Sequence, residues 1–340
     1  MANENFTNAI NRTEQKTPPI WFMRQAGRYH KHYQSLRSKY SFMDLCKEPE
    51  LAAKVALGPI LDFDFDVAIL FSDLLFPLES LGMGLAYTDI GPKLGWQLNE
   101  INVNRLKPIE EAINGLKFQQ DALKLTRELL PQNKSLIGFV GGLWTLFTYA
   151  VVGKHDGNLI LPKKAIDLRK KFFKVLEDLI IRNIQLQLDG GAEIVMIFDT
   201  AAGELSPFDF EEIVIPYIKS ISSRFPKKVA YYSKGTSRGH LEKIFPIDGL
   251  AGIGFDHRIN LTKLLQITTN GFIQGNFDQS LLFQETRDLK KSIMDYLNPI
   301  LSMDSSERKG WVCSLGHGVL PKTPEDNVKL FIDTVRRVFT

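Results

Sequence analysis

Eight short apolar runs recur along the chain, and each is followed by a polar loop and a segment with helical periodicity. The runs are continuous rather than alternating, which is typical of strands buried on both faces of a parallel sheet. They lie at Pro19–Met23, Val67–Phe71, Ser135–Gly141, Glu193–Phe198, Lys228–Ser233, Leu250–Phe255, Gly271–Gly275 and Trp311–Leu315. Strands that alternate with helices predict a parallel sheet with the helices outside it.

This order favours closure into a single (β/α)8 barrel, the TIM-barrel fold, because there are eight runs and no pattern of a second domain. An open doubly wound sheet remains the alternative at this stage. Residues 1–18 are expected to form an amino-terminal arm and residues 19–340 the barrel domain. A hairpin-like insertion after the second strand is predicted at Leu85–Leu98, with Gly91-Pro92 as its turn.

The composition argues against several classes of protein. The chain has 340 residues, is 44% hydrophobic and carries a formal net charge of +3, which is too small to predict a nucleic-acid partner. Its two cysteines, Cys46 and Cys313, lie far apart, which disfavours a disulfide framework and a four-cysteine zinc site. No apolar run approaches the ~18 residues of a membrane span, and the polar start lacks a signal-peptide core. We therefore expect a cytoplasmic protein without a membrane or nucleic-acid partner.

Polar side chains follow the predicted strands at their carboxyl ends, where a barrel of this kind holds its active site. Arg24 and Arg28 follow the first run, and Gly27 is expected to let the backbone turn both toward the site. Asp73 follows the second run and precedes an apolar stretch, so its carboxylate should be poorly solvated and need hydrogen-bond donors. Later runs are followed by Trp144, Tyr149, Asp199, Thr200, Lys234, Asp256 and His317.

Several of these residues also have a purely structural interpretation. Asp199 and Asp256 suit caps of the helices that follow them. Gly316 and Gly318 suit a tight turn. Arg24 and Arg28 suit structural ion pairs, so position alone does not decide their role.

Six motifs in order resemble the uroporphyrinogen decarboxylase family. They are MRQAGRY after the first run, ILFSDLL at the second, GLWTLFTY at the third, FDTAAG at the fourth, QGNFD at the seventh and LGHGVLPKTPEDNV at the eighth. The resemblance runs from about residue 17 to the carboxyl terminus, and MRQAGRY is its most specific part.

The resemblance implies a (β/α)8 barrel that forms a homodimer. It also implies a lyase that removes the four acetate carboxyl groups of uroporphyrinogen III, giving coproporphyrinogen III, without a metal or organic cofactor. The family's functional residues correspond to Arg24, Arg28, Asp73, Tyr149, Thr200 and His317.

These residue types suit that chemistry. Arginine suits the substrate's carboxylates, and an ionised Asp73 suits its four inward-pointing pyrrole N–H groups. The family's suggested proton donor is Arg24 or Arg28. Because arginine is a very weak acid, a water molecule or a substrate carboxyl held by it is an open alternative. Tyr149, Thr200 and His317 are implied to bind substrate carboxylates, and His317 either titrates near neutrality or only positions the substrate.

The chain departs from the family pattern around the site. The changed positions are Leu61, Asp62, Leu143, Val152, the loop Gly153–Asn158 and Ala201, and they affect the expected shape of the cleft. One rival is a cobalamin-type methyltransferase with a zinc site, but no histidine is followed two residues later by cysteine. The other rival is a non-catalytic tetrapyrrole-binding barrel, which would not need Asp73.

Overall fold

A curled sheet of seven parallel strands organises the computed structural model, which describes residues 2–88, 91–155 and 157–339. The strands of this part are β1 (Val67–Ile69), β2 (Leu85–Thr88), β3 (Gly91–Leu94), β4 (Ser135–Gly141), β5 (Ile194–Asp199), β6 (Val229–Ser233), β7 (Leu250–Gly254), β8 (Phe272–Phe277) and β9 (Trp311–Leu315). The parallel sheet has the order β1-β4-β5-β6-β7-β8-β9, and β2 pairs with β3 in a separate antiparallel sheet. The protein therefore has a mixed α/β fold.

Helices follow most of the strands of the parallel sheet. They are α1 (Glu4–Asn11), α2 (Lys31–Arg37), α3 (Phe42–Lys47), α4 (Pro49–Phe63), α5 (Phe76–Leu78), α6 (Ile109–Asn114), α7 (Lys117–Leu129), α8 (Leu143–Val152), α9 (Ile160–Lys164), α10 (Ile166–Asp189), α11 (Pro207–Ile213), α12 (Ile215–Arg224), α13 (Arg238–Ile244), α14 (Leu261–Ile267), α15 (Thr286–Leu301) and α16 (Glu325–Phe339). In the part of the chain that the structure describes, none of them is long and apolar enough to cross a membrane.

Seven of the eight predicted strands are confirmed, each to within two residues at either end. All residues of β4 through β9 are buried, as continuous apolar runs between layers of helices should be. Both cysteines are free and buried in this interior.

The first predicted strand, Pro19–Met23, is wrong as a strand. Only Ile20 forms an isolated parallel bridge, with Cys313 of β9. The Cys313 N–H donates to the Pro19 carbonyl (2.9 Å), and on the other side the Asp66 N–H donates to the Ile20 carbonyl (2.9 Å). The segment thus lies between β9 and the residue before β1.

Side chains prevent a regular ladder in this segment. The Ile20 N–H donates to the Asp66 carboxylate (2.8 Å), and the Phe22 N–H donates to the Gln25 amide oxygen (3.1 Å). Pro19 has no backbone N–H to donate. Because these donors are occupied or missing, the backbone cannot form the repeated bonds of a strand.

The amino-terminal residues cover the amino ends of the last strands. Phe6 of α1 is fully buried, and its ring centroid lies 5.8 Å from that of Phe272 in β8. The Gln15 amide donates to the Trp311 carbonyl (3.1 Å) and accepts from the Gly310 N–H (2.7 Å). This end of the sheet is therefore closed by residues 4–15, and the opposite, carboxyl end is left for a site.

The antiparallel pair of β2 and β3 follows α5. Gly91 and Pro92 are paired in β3 with Thr88 and Tyr87, so the expected turn at Gly91-Pro92 is wrong. A proline is tolerated there because a two-stranded sheet has outer edges that need no N–H donor. Asp89 and Ile90 lie outside the described residues.

Candidate active site

Arg24 lies at the carboxyl end of the sheet in a left-handed backbone conformation, with φ of +59°. Such a conformation costs a non-glycine residue about 1–2 kcal/mol. Gly27 lies in a bend, as expected, but it has no positive φ, so the left-handed conformation falls at Arg24. Strain at a polar residue is typical of functional sites.

The Arg24 side chain passes directly over Gly318, in the loop after β9. A Cβ atom at Gly318 would lie 2.6 Å from the Arg24 Cδ and 2.8 Å from its Cγ. Gly318 has no positive φ either. Its role is therefore the close approach of Arg24 rather than the turn geometry considered from the sequence.

Asp73 is half-buried in the segment after β1. Burial raises the pKa of its carboxyl above the ordinary value, while the Leu75 N–H (2.9 Å), the Tyr87 hydroxyl and the charge of Arg24 act in the opposite direction. The poorly solvated carboxylate expected from the sequence is present. It retains some access to solvent although it is closely surrounded.

Tyr87 of β2 also faces this carboxyl, and sequence reasoning missed it. Its hydroxyl is buried and forms no hydrogen bond of normal geometry with the described residues. It is nevertheless close enough to Asp73 to lower the pKa of that carboxyl, and Asp73 together with burial raises the pKa of Tyr87. The alternation of Leu85 and Tyr87 on the inner face of β2 is the sequence pattern that could have predicted it.

Tyr149 of α8 lies in the same group. Burial and the neighbouring Asp73 raise the pKa of its phenol, and Arg24 opposes them. The phenol is therefore protonated at neutral pH and is available as a donor. The structure thus brings Arg24, Asp73 and Tyr149 within electrostatic reach of one another.

His317, between the two glycines after β9, is half-buried and neutral. Burial lowers the pKa of its imidazole to about 3, with Arg24 and Lys234 adding to the effect and Asp256 opposing it. The lowered pKa disfavours titration of this free-protein imidazole near neutrality, which is one of two expectations from the sequence. Its ring stacks at 8° on Tyr232, with centroids 6.1 Å apart.

Arg28 and Thr200 are not joined to this group in the described structure. Arg28 is exposed, and its charge acts on Tyr33 of α2. Thr200 is half-buried directly after β5, and its hydroxyl forms no hydrogen bond within the described residues. The two residues sit at the same end of the sheet without contacting its centre.

Two carboxylates singled out from the sequence have structural roles. Asp199 is fully buried and accepts from the Thr145 N–H (2.9 Å) and hydroxyl (2.6 Å). It therefore caps α8, which precedes it, rather than the helix that follows. Asp256 accepts from the Gly235 N–H (2.6 Å) and pairs with Arg258, so it secures neighbouring loops.

The positions that depart from the family pattern differ in burial, and Leu61 and Asp62 of α4 are exposed. Leu143 and Ala201 are fully buried, and the Ala201 carbonyl accepts from the Trp144 indole (3.2 Å). The carbonyl of Val152 accepts from the Gln97 amide (2.9 Å). Within the loop Gly153–Asn158, Asp156 lies outside the described residues.

The arrangement offers complementary groups for one ligand. A guanidinium attracts carboxylates, a poorly solvated carboxylate accepts from N–H groups, and a phenol donates. Across residues 2–88, 91–155 and 157–339, no three histidine, cysteine, aspartate or glutamate side chains are grouped as metal ligands would be. The group thus suits an anionic ligand that also carries N–H donors.

Comparison with known proteins identifies relatives over the full length. The sequence profile described as uroporphyrinogen decarboxylase (URO-D) matches residues 1–338. The uroporphyrinogen decarboxylase of Myxococcus xanthus is 33% identical, covering 98% of this chain and 96% of that protein. The uroporphyrinogen decarboxylase of Citrifermentans bemidjiense is 34% identical, covering 99% of both.

A solved methyltransferase from Methanosarcina mazei has a similar fold. It aligns with a TM-score of 0.76 over 99% of this chain and 98% of that chain, at 17% identity, so the likeness concerns the fold alone. The residues that the uroporphyrinogen decarboxylase profile matches include all six motifs of the sequence analysis. The chain belongs to the uroporphyrinogen decarboxylase family.

Proposed function

We propose that this protein decarboxylates uroporphyrinogen III, converting its four acetate side chains to methyl groups and yielding coproporphyrinogen III for haem biosynthesis. The observation that carries the proposal is the half-buried Asp73 carboxyl beside Arg24 at the carboxyl end of the sheet. Membership of the family supports the same reaction.

In the proposed reaction Asp73 is the central catalytic group. Its carboxylate accepts from the four pyrrole N–H groups and stabilises the cation that forms when a ring carbon next to an acetate is protonated. That cationic ring is the electron sink for the pair of electrons released with carbon dioxide. The new methylene then takes up a proton and the ring carbon loses one, so each cycle consumes one proton and needs no metal or organic cofactor.

Arg24 and Arg28 are proposed to bind the carboxylates around the edge of the substrate. Both side chains are exposed; Arg24 binds beside Asp73, and Arg28 binds farther out. Because arginine is a weak acid, we favour a water molecule or a substrate carboxyl held by Arg24 as the source of the ring proton. Tyr149, Thr200 and His317 are proposed to orient the reacting side chain.

We further propose that residues 19–340 form a closed catalytic barrel of the (β/α)8 type, with residues 1–18 as an arm and β2–β3 as an insertion. In this barrel residues 19–23 occupy the place of the first strand without forming a regular ladder. The bonds of Ile20 to Asp66 and of Pro19 to Cys313 support closure by residues 19–23. A cytoplasmic homodimer is proposed from the family resemblance, with a small-molecule substrate as the ligand.

The test is anaerobic incubation of the purified protein with uroporphyrinogen III, with and without a chelator. Chromatography should show products with seven, six, five and then four carboxyl groups in both samples. Tight binding without product would instead indicate a tetrapyrrole-binding protein, and loss of activity in the chelator would indicate a metal enzyme.

A further inference from the structure

The hydrogen bonds of Tyr232 determine the tautomer of His317. The Tyr232 hydroxyl oxygen lies 2.7 Å from the Gly316 carbonyl oxygen and 3.1 Å from the His317 Nδ1. A carbonyl only accepts, so the single hydroxyl proton must point to Gly316. The Tyr232 oxygen is then an acceptor, and the His317 Nδ1 must carry the proton that it accepts.

The other ring nitrogen of His317 is therefore unprotonated. The imidazole is neutral, because burial together with Arg24 and Lys234 disfavours its cation more than Asp256 favours it. A neutral imidazole with a proton on Nδ1 has a free lone pair on Nε2. Nε2 has no hydrogen-bond partner among the described residues, and it is not one of the buried unpaired atoms, so it remains accessible.

We propose that Tyr232 is a positioning residue that holds His317 as a hydrogen-bond acceptor, so that Nε2 binds a donor group of the ligand. The identity of that ligand rests on the proposed function. The donor is a protonated carboxyl of the substrate or product, because the proposed function assigns the four pyrrole N–H groups to Asp73.

This inference changes the role expected for His317. A histidine with a lone pair on Nε2 repels an ionised carboxylate at that atom instead of donating to it. A substrate carboxyl that meets Nε2 must therefore bind in its protonated form, which brings a proton into a site whose reaction consumes one.

The tautomer is tested without substrate, by 15N NMR of histidine-labelled protein, with the His317 signal assigned by its loss in His317→Gln. We expect the Nδ1–H form in the wild type. In Tyr232→Phe the signal should shift toward Nε2–H, and kcat/KM should fall roughly tenfold. Tyr231→Phe is the matched control, since Tyr231 contacts Asp199 instead, and it should leave the His317 signal unchanged.

A wild-type signal from imidazolium or from Nε2–H would overturn the proposal, as would an unchanged tautomer in Tyr232→Phe. These results do not depend on decarboxylation, so the proposal can fail while the enzyme is active, or hold while it is not.

The donor is identified by binding coproporphyrinogen III anaerobically in buffers of different ionisation enthalpy. Proton uptake in the wild type that is lost in Tyr232→Phe would indicate a protonated carboxyl at Nε2. Binding without proton uptake would contradict a protonated carboxyl at Nε2, since the four pyrrole N–H groups are assigned to Asp73. Conversion of His317 to Nε2–H or imidazolium on binding would contradict an acceptor role.

Discussion

At the scale of single residues, the site combines a poorly solvated carboxyl with a strained backbone. Burial raises the pKa of Asp73, and Arg24, whose side chain is exposed, has a left-handed backbone conformation. Both features cost folding free energy, which is expected where function rather than stability selects the residue. The consequences can be measured on individual side chains.

Asp73→Asn should raise the melting temperature at pH 7. The folded carboxyl has a higher pKa than the unfolded one, so the ionised form destabilises the fold at neutral pH. The gain should shrink as the pH falls below the folded pKa, where the wild-type carboxyl is protonated. Thermal melts from pH 4 to 7 check this, with the exposed Asp121→Asn as control. A variant less stable than wild type at pH 7 would contradict it.

Tyr87→Phe should move the acidic limb of the kcat/KM profile to higher pH. The Tyr87 hydroxyl lowers the pKa of Asp73, so its removal makes the carboxylate take up a proton at a higher pH. Arg24 and Tyr149 also face Asp73, and Cys46 and Glu79 contribute near Tyr87, but none of these changes in the variant. A pH–rate profile that is unshifted would exclude a role for the hydroxyl.

Some of this residue-scale detail could be predicted from the sequence and some could not. Arg24, Asp73 and His317 were identified because the carboxyl ends of parallel strands meet at one end of a sheet. Tyr87 and Tyr232 were missed because the direction of a hydroxyl depends on packing and register, which a single sequence does not reveal. The roles of the predicted residues stay proposals.

At the scale of elements, the loops after the strands position one another. The loop after β9 allows Arg24 to lie over Gly318, and β2 brings Tyr87 to the segment after β1. Seven strands were predicted correctly from their continuous apolar runs. Residues 19–23 do not form a regular strand, and the side chains of Asp66 and Gln25 accept from the N–H groups of Ile20 and Phe22, which no local pattern predicts.

Gly318→Ala should displace Arg24, since the new Cβ would lie 2.6 Å from the Arg24 Cδ. The displaced Arg24 should lose one charged hydrogen bond to the substrate. We therefore expect kcat/KM to fall roughly ten- to hundredfold, mostly because KM rises. Steady-state kinetics check this. Gly239→Ala is the matched control, because its Cβ would meet only ordinary contacts at 3.4 Å. Equal kinetics in both variants would show that Arg24 tolerates the methyl group.

Phe6→Ala should destabilise the protein by about 3–5 kcal/mol, because it removes a fully buried ring packed on Phe272. Denaturant unfolding measures this change. Activity well below the melting temperature should be unaffected, since α1 lies at the amino end of the strands. Loss of activity without loss of stability would instead indicate that the amino-terminal arm contributes to the active site.

At the scale of the whole molecule, function and stability are separated by the two ends of the sheet. The amino end is closed by α1 and the residues after it, and the carboxyl end gathers Arg24, Asp73, Tyr149 and His317. With a formal net charge of only +3, the protein must attract a substrate with eight carboxylates through local placement of cations. Because the packing at the amino end stabilises the fold, the strained backbone of Arg24 at the carboxyl end is tolerated.

The central claim, that this chain removes the acetate carboxyl groups itself, is tested most directly by the stoichiometry of carbon dioxide. Anaerobic reaction of purified protein with limiting uroporphyrinogen III in a chelator should release four carbon dioxide molecules per substrate, and Asp73→Asn should release none. Stoichiometric binding of the substrate by the wild type without release of carbon dioxide would contradict the account.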